Sequence, residues 1–94
     1  MNKKYLSELI EILTQINNKE EMYSFLKGIL TSQELVEIPQ RLVIVKMLKA
    51  GIAQHEIAKK LHVGVATVTR GSKELQKGRF QNVKSWQGLS NLRG

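Results

Sequence analysis

The fold is decided by residues 54–70, which read QHEIAKKLHVGVATVTR. Ile57 and Leu61 lie four residues apart, so they share the inner face of a first short helix, and Ala58 supplies the small side chain that a close helix crossing needs. A turn over residues 62–64 is expected to follow. The second helix should then be locked against the first by three valines, Val63, Val65 and Val68. The spacing predicts a helix-turn-helix over residues 54–76.

The side chains expected to point outward from this pair combine short groups with long cations. Short groups can approach base edges and thymine methyl groups, and long cations can reach phosphates. The second helix therefore has the composition of a recognition helix that enters the major groove of DNA. A helix pair with an ordinary solvated basic face is the structural alternative. The candidate DNA-binding residues are Gln54, His55, Lys59, Val65, Ala66, Thr67, Thr69 and Lys73.

Charge is concentrated in the same part of the chain. The 94 residues include 15 Lys and Arg against 8 acidic residues, a net charge of +7. Residues 41–80 carry nine basic and two acidic side chains, whereas residues 1–40 carry four basic and six acidic ones. A polyanion is therefore the expected partner of the middle of the chain.

Composition also argues against several classes of protein. There is no cysteine, so we expect neither a disulfide nor a thiolate metal site, and His55 and His62 lack partners at metal-ligand spacing. No apolar run is long enough to cross a bilayer, so a cytoplasmic protein without membrane contact is expected. Paired carboxylates, a nucleophile with its base and a phosphate-binding loop are not recognisable, which argues against an enzyme.

The rest of the chain shows helical periodicity, which predicts an all-α single domain of five to six helices over residues 1–94. Residues 1–50 are expected to form dimerisation helices, because a chain of this size often completes its core with a second copy. Thr31 and Glu34 match a capping box that starts a third helix, and Pro39 predicts a kink or restart within it. A last short helix is predicted over residues 79–94. The apolar positions predicted for the third helix are Leu35, Ile38, Leu42, Val45 and Leu48.

A sharper resemblance lies within the predicted recognition helix. Residues 64–72, GVATVTRGS, resemble the recognition-helix signature of the tryptophan repressor family, and residues 30–34, LTSQE, followed by Arg41, resemble an earlier block of that family. The resemblance covers Leu26 to Leu75 and implies an intertwined homodimer in which each subunit presents one helix-turn-helix to DNA. It also implies a repressor that binds operator DNA, with L-tryptophan as corepressor, and that acts on genes of tryptophan biosynthesis or transport.

The same resemblance implies a ligand site between the third helix and the recognition helix. Arg41 and Arg70 would sandwich the indole ring, Arg70 and Thr31 would hold the carboxylate, and Gly71 would leave room for the ring. Glu74 stands where the family usually has a small hydroxyl near the ligand ammonium. It either pairs with that ammonium or signals a different ligand.

Two other functions fit the same residues. A constitutive regulator on this fold would bind its operator and ignore tryptophan. A helix-turn-helix subunit of a transposase or recombinase would need a catalytic partner chain and no small ligand.

Overall fold

A computed structural model describes residues 2–86, and this part of the chain forms five α-helices and no β-strand. The all-α class predicted from the sequence is therefore confirmed. The residues group into two compact units that divide between Val36 and Glu37. The helices are α1 (Lys3–Gln15), α2 (Lys19–Ile29), α3 (Ser32–Lys49), α4 (Gln54–Leu61) and α5 (Val65–Gln76).

In the first unit, each helix begins at a side chain that satisfies exposed backbone N–H groups. Asn2 Oδ1 accepts from the N–H groups of Lys4 and Tyr5, and Asn18 Oδ1 accepts from that of Glu21 at 2.8 Å. The capping box at the start of α3 is confirmed in both directions. Thr31 Oγ1 accepts from the Glu34 N–H at 3.1 Å, and the Glu34 carboxylate accepts from the Thr31 N–H at 2.9 Å.

Neither α1 nor α2 has a fully buried residue. Their apolar positions recur with helical spacing, yet large apolar side chains such as Leu6, Ile10 and Ile29 are exposed. An amphipathic helix normally buries such a stripe against another element. The single chain therefore leaves apolar surface on both helices.

The core of the second unit is formed where α3, α4 and α5 meet. Ile44 and Met47 are 1% exposed, and Ile57 and Val68 are fully buried. Of the apolar positions predicted for α3, Val45 is buried, whereas Ile38 and Leu42 are exposed. Ile44 and Met47 complete the buried face of this helix.

Helix α3 also runs without a break through Pro39, so the predicted restart there does not occur. Proline lacks an N–H and removes one bond of the helical ladder, while the bonds on either side continue the helix.

After α5 the chain turns back along α3. Residues 77–83 form turns and residues 84–86 are irregular, so the helix predicted over 79–94 does not begin at 79; residues 87–94 lie outside the described part. Lys49 Nζ donates to the carbonyls of Phe80 and Val83, and the Trp86 N–H donates to the Lys46 carbonyl at 2.9 Å. These bonds hold the turn against α3. Over residues 2–86, no helix has both the length and the apolar composition that a membrane span requires.

Candidate nucleic-acid interface and adjoining cleft

Helices α4 and α5 form the helix-turn-helix expected from the sequence. Their interior contains Ile57, Val68 and Ala58, which are exposed by 0%, 0% and 6%, and the predicted packing of these residues is confirmed. Val65 is 51% exposed, so its expected packing role is wrong. It is the first residue of α5, one helical turn before Thr69 and on the outer side of the pair.

The turn between the helices depends on an unusual backbone conformation. His62 ends α4 with φ 56° and ψ 46°, the left-handed region that glycine normally occupies at this position. Its N–H donates to the Ala58 carbonyl, which closes the helix. Gln40 of α3 donates to the carbonyl of Leu61 at 3.4 Å and so connects α3 to the end of α4.

Most of the candidate DNA-binding residues lie on the surface. Two of them, Gln54 and Thr69, are only half-buried and contact each other, because the Thr69 hydroxyl donates to Gln54 Oε1 at 2.7 Å. This bond connects the first residue of α4 to the middle of α5. The exposed members of the set are His55, Lys59, Val65, Ala66, Thr67 and Lys73.

A cleft of about 750 Å³ lies between α3, α5 and the turn that follows α5. Its volume is within the usual range for a small-molecule site, about 300–1,000 Å³. Most of its wall is apolar, and charged groups project from three elements. The lining residues are Ile38, Pro39, Arg41, Leu42, Ile44, Val45, Thr67, Arg70, Gly71, Glu74, Arg79 and Phe80.

Gly71 allows α5 to approach α3 closely. A Cβ atom at this position would lie 3.3 Å from Ile44 Cγ2 and 3.7 Å from Leu48 Cδ1. A side chain at this position would require Ile44 to shift by a few tenths of an ångström, or α5 to move away from α3. The width of the cleft therefore depends on this glycine.

Glu74 is the acidic group of the cleft, and cations hold both of its carboxylate oxygens. Lys77 Nζ lies 2.9 Å from Oε2, and Arg79 Nε lies 3.6 Å from Oε1. The hydrogen bond from Lys77 lowers the pKa of Glu74, partial desolvation opposes this shift, and the charges of Lys77, Arg79 and Arg70 add to it. Glu74 is therefore ionised at neutral pH.

Four of the five residues expected to bind a ligand line this one cleft: Arg41, Arg70, Gly71 and Glu74. Thr31 belongs to the first unit, where its hydroxyl forms the capping box, and its proposed contact with a carboxylate stays a prediction. Arg79 and Phe80 also line the cleft and were not predicted from the sequence. The preceding Gly78 was a local signal of a turn, and its φ of 82° in the structure brings the chain back to the cleft.

The sequence is similar to one protein family over most of its length. The sequence model of a family described as Trp repressor protein matches residues 4–87. A Trp operon repressor homolog of Xylella fastidiosa (strain M23) is 35% identical over 69 residues, which are 72% of this chain and 75% of that protein. A protein of the same name in Vibrio cholerae serotype O1 is 32% identical over 83% of this chain and 76% of its own length. Another in Chlamydia caviae is 33% identical over 80% of this chain and 75% of its own length. No solved structure matches the chain.

Proposed function

Because this chain belongs to the Trp repressor family, whose members are DNA-binding regulators, we propose that it is a cytoplasmic repressor that binds operator DNA as a homodimer when L-tryptophan is bound. Its targets would be genes of tryptophan biosynthesis or transport. The observation that carries the proposal is the cleft on the inner side of α5, where Arg41 and Arg70 flank a largely apolar space.

The outer side of the same helix supports binding to DNA. The short side chains of Val65 and Ala66 leave the start of α5 open to base edges, while Lys73 of α5 and Lys59 of α4 are placed to contact phosphates. Thr67 is exposed at the border of this surface and also lines the cleft. This division agrees with a recognition helix whose first turns enter the major groove.

The apolar stripes of α1 and α2 support the homodimer. These helices have no fully buried residue in the single chain, and a second copy would cover their apolar surface. Two copies would also present two recognition helices, as a palindromic operator with half-sites about 34 Å apart requires. A chain that sediments as a monomer at micromolar concentration would contradict this part of the proposal.

The cleft offers what an aromatic amino acid needs. An indole ring fits between two guanidinium planes by cation–π stacking, with apolar walls from residues such as Leu42 and Phe80. A guanidinium group can also hold the carboxylate in a bidentate pair. The ammonium group would compete with Lys77 and Arg79 for Glu74.

Ligand and DNA would be coupled through α5. Arg70, Gly71 and Glu74 face the cleft from this helix, whose outer side carries the DNA-binding residues, so a bound ligand would favour one position of α5 against α3. By linkage, operator DNA must tighten tryptophan binding by the same factor by which tryptophan tightens DNA binding.

Calorimetry with L-tryptophan and operator titrations with and without it test the proposal. The Arg70→Ala variant should lose the heat of ligand binding. Lys73→Ala is the matched control, since Lys73 lies on the same helix, is exposed and does not line the cleft. It should keep the heat and weaken only DNA binding. Equal operator affinity with and without tryptophan would refute the corepressor role.

One observation favours a second candidate, a constitutive regulator. Both oxygens of Glu74 already hold cations of the chain, which disfavours an incoming ammonium group. Such a regulator would select an operator with the same affinity at every tryptophan concentration. The titrations described above therefore separate the two candidates.

A further inference from the structure

We infer that Gln54 positions the hydroxyl of Thr69 so that this group can only accept a hydrogen bond from DNA, which restricts the bases that it reads. The inference rests on the proposed operator binding. It starts from the 2.7 Å hydrogen bond in which Thr69 Oγ1 donates to Gln54 Oε1, between the start of α4 and the middle of α5. Both side chains are half-buried, so the bond is partly shielded from competing water.

The chemistry of a hydroxyl group makes this bond decisive. A threonine hydroxyl has one donor proton and two acceptor lone pairs. Its proton is used by Gln54, so only the lone pairs remain for a ligand. Phosphate oxygens are acceptors and cannot donate to them. Thr69 is therefore oriented toward donors on bases and away from the DNA backbone.

Base edges in the major groove differ in the donors they present. Adenine offers its N6 amino group as a donor and cytosine its N4 amino group. Guanine instead offers the acceptors O6 and N7, and thymine offers the acceptor O4. A Thr69 hydroxyl held by Gln54 thus favours adenine or cytosine at the position it faces. A hydroxyl that rotates without this restraint could also donate to guanine or thymine.

The surroundings of Thr69 assign the orienting role to Gln54. Its neighbours at helical spacing on α5 are Val65, Ala66, Ser72 and Lys73. Among them only Ser72 has a side-chain acceptor. The hydroxyl proton of Thr69 goes instead to Gln54 of α4, so the packing of α4 against α5 sets the direction of this hydrogen bond.

Selection of binding sites from a randomised duplex library tests the inference with four proteins. The wild type should prefer adenine or cytosine at one position of each half-site. Gln54→Leu keeps the size of the side chain but removes the acceptor, and should reduce that preference about three- to tenfold, the effect of one hydrogen bond. Thr69→Val removes the hydroxyl group and should lose the preference for adenine or cytosine at the same position.

Gln54→Glu is the matched control. Its carboxylate still accepts from Thr69, so the base preference should persist, although the added negative charge near phosphates weakens binding to all sequences. A preference that is unchanged in Gln54→Leu, or that Gln54→Glu loses equally, would overturn the inference.

The double variant provides a second readout. At the position that Thr69 faces, Gln54→Leu combined with Thr69→Val should change base preference no more than Thr69→Val alone, because Gln54 acts on that base through the Thr69 hydroxyl. Independent, additive changes at different operator positions would overturn the inference. A wild type that selects a clear operator, with variants that behave as described, supports it. A wild type that selects no sequence would refute the proposed function and this inference together.

Discussion

Replacing His62 by glycine should stabilise the protein. His62 is exposed and holds φ at 56° and ψ at 46°, a conformation that costs an L-residue about 1–2 kcal/mol and glycine almost nothing. Glycine also makes the unfolded chain more flexible, which removes about 0.4–1 kcal/mol of that gain. The net gain in the free energy of unfolding is about 0.8 kcal/mol, or about 3–6 °C in melting temperature for a domain of this size.

Gly51→Ala is the matched control, and we expect it to change the free energy of unfolding in the opposite direction. Gly51 has φ of 82°, and an added Cβ would meet no atom within 4 Å, so the substitution introduces backbone strain without a clash. It should lower the free energy of unfolding by a similar amount. Both variants are measured by urea unfolding at one protein concentration, because association would shift the apparent stability. Lower stability for His62→Gly would refute the assignment of strain to this turn.

Three further outcomes are expected. Ile57→Ala should lower the free energy of unfolding by about 2–5 kcal/mol in urea titrations, because it empties a fully buried site; a loss below about 1 kcal/mol would contradict this packing. The pKa of Glu74 is lowered in the folded protein, so its ion pairs stabilise the fold at pH values above the ordinary carboxyl pKa. This stabilisation is lost as the pH falls through the folded-state pKa. Wild type should therefore be more stable than Glu74→Gln at neutral pH, and urea unfolding should show that the difference disappears in acid. Lys49→Met should release the carbonyls of Phe80 and Val83 and shift the emission of Trp86, the only tryptophan, to longer wavelength; unchanged emission would argue against this anchor.

The helix-turn-helix could be predicted from the sequence because its determinants are local. The spacing of Ile57 and Val68 and the small Ala58 fix which sides of the two helices meet, and the structure buries all three. Val65 was placed inward by the same reasoning and is exposed. A valine at the first turn of a helix carries the apolar signal of a core residue, but its orientation depends on how far α5 rotates against α4.

The cleft could be predicted only in part. Arg41, Arg70 and Glu74 came from motif resemblance and do line one cleft, whereas Arg79 and Phe80 carry no motif. Their position follows from the fold-back of the chain after Gly78. That path is held by Lys49, which lies more than thirty residues away in the sequence.

The sequence alone determined the all-helical class, the capping box of α3, the helix-turn-helix and the basic character of the recognition segment, because periodicity, capping and net charge are properties of neighbouring residues. The tertiary structure alone decided which face of α3 is buried, what closes the cleft and which atom orients the Thr69 hydroxyl. These features join residues that are distant in the chain, and their geometry depends on how the packed helices rotate and approach one another.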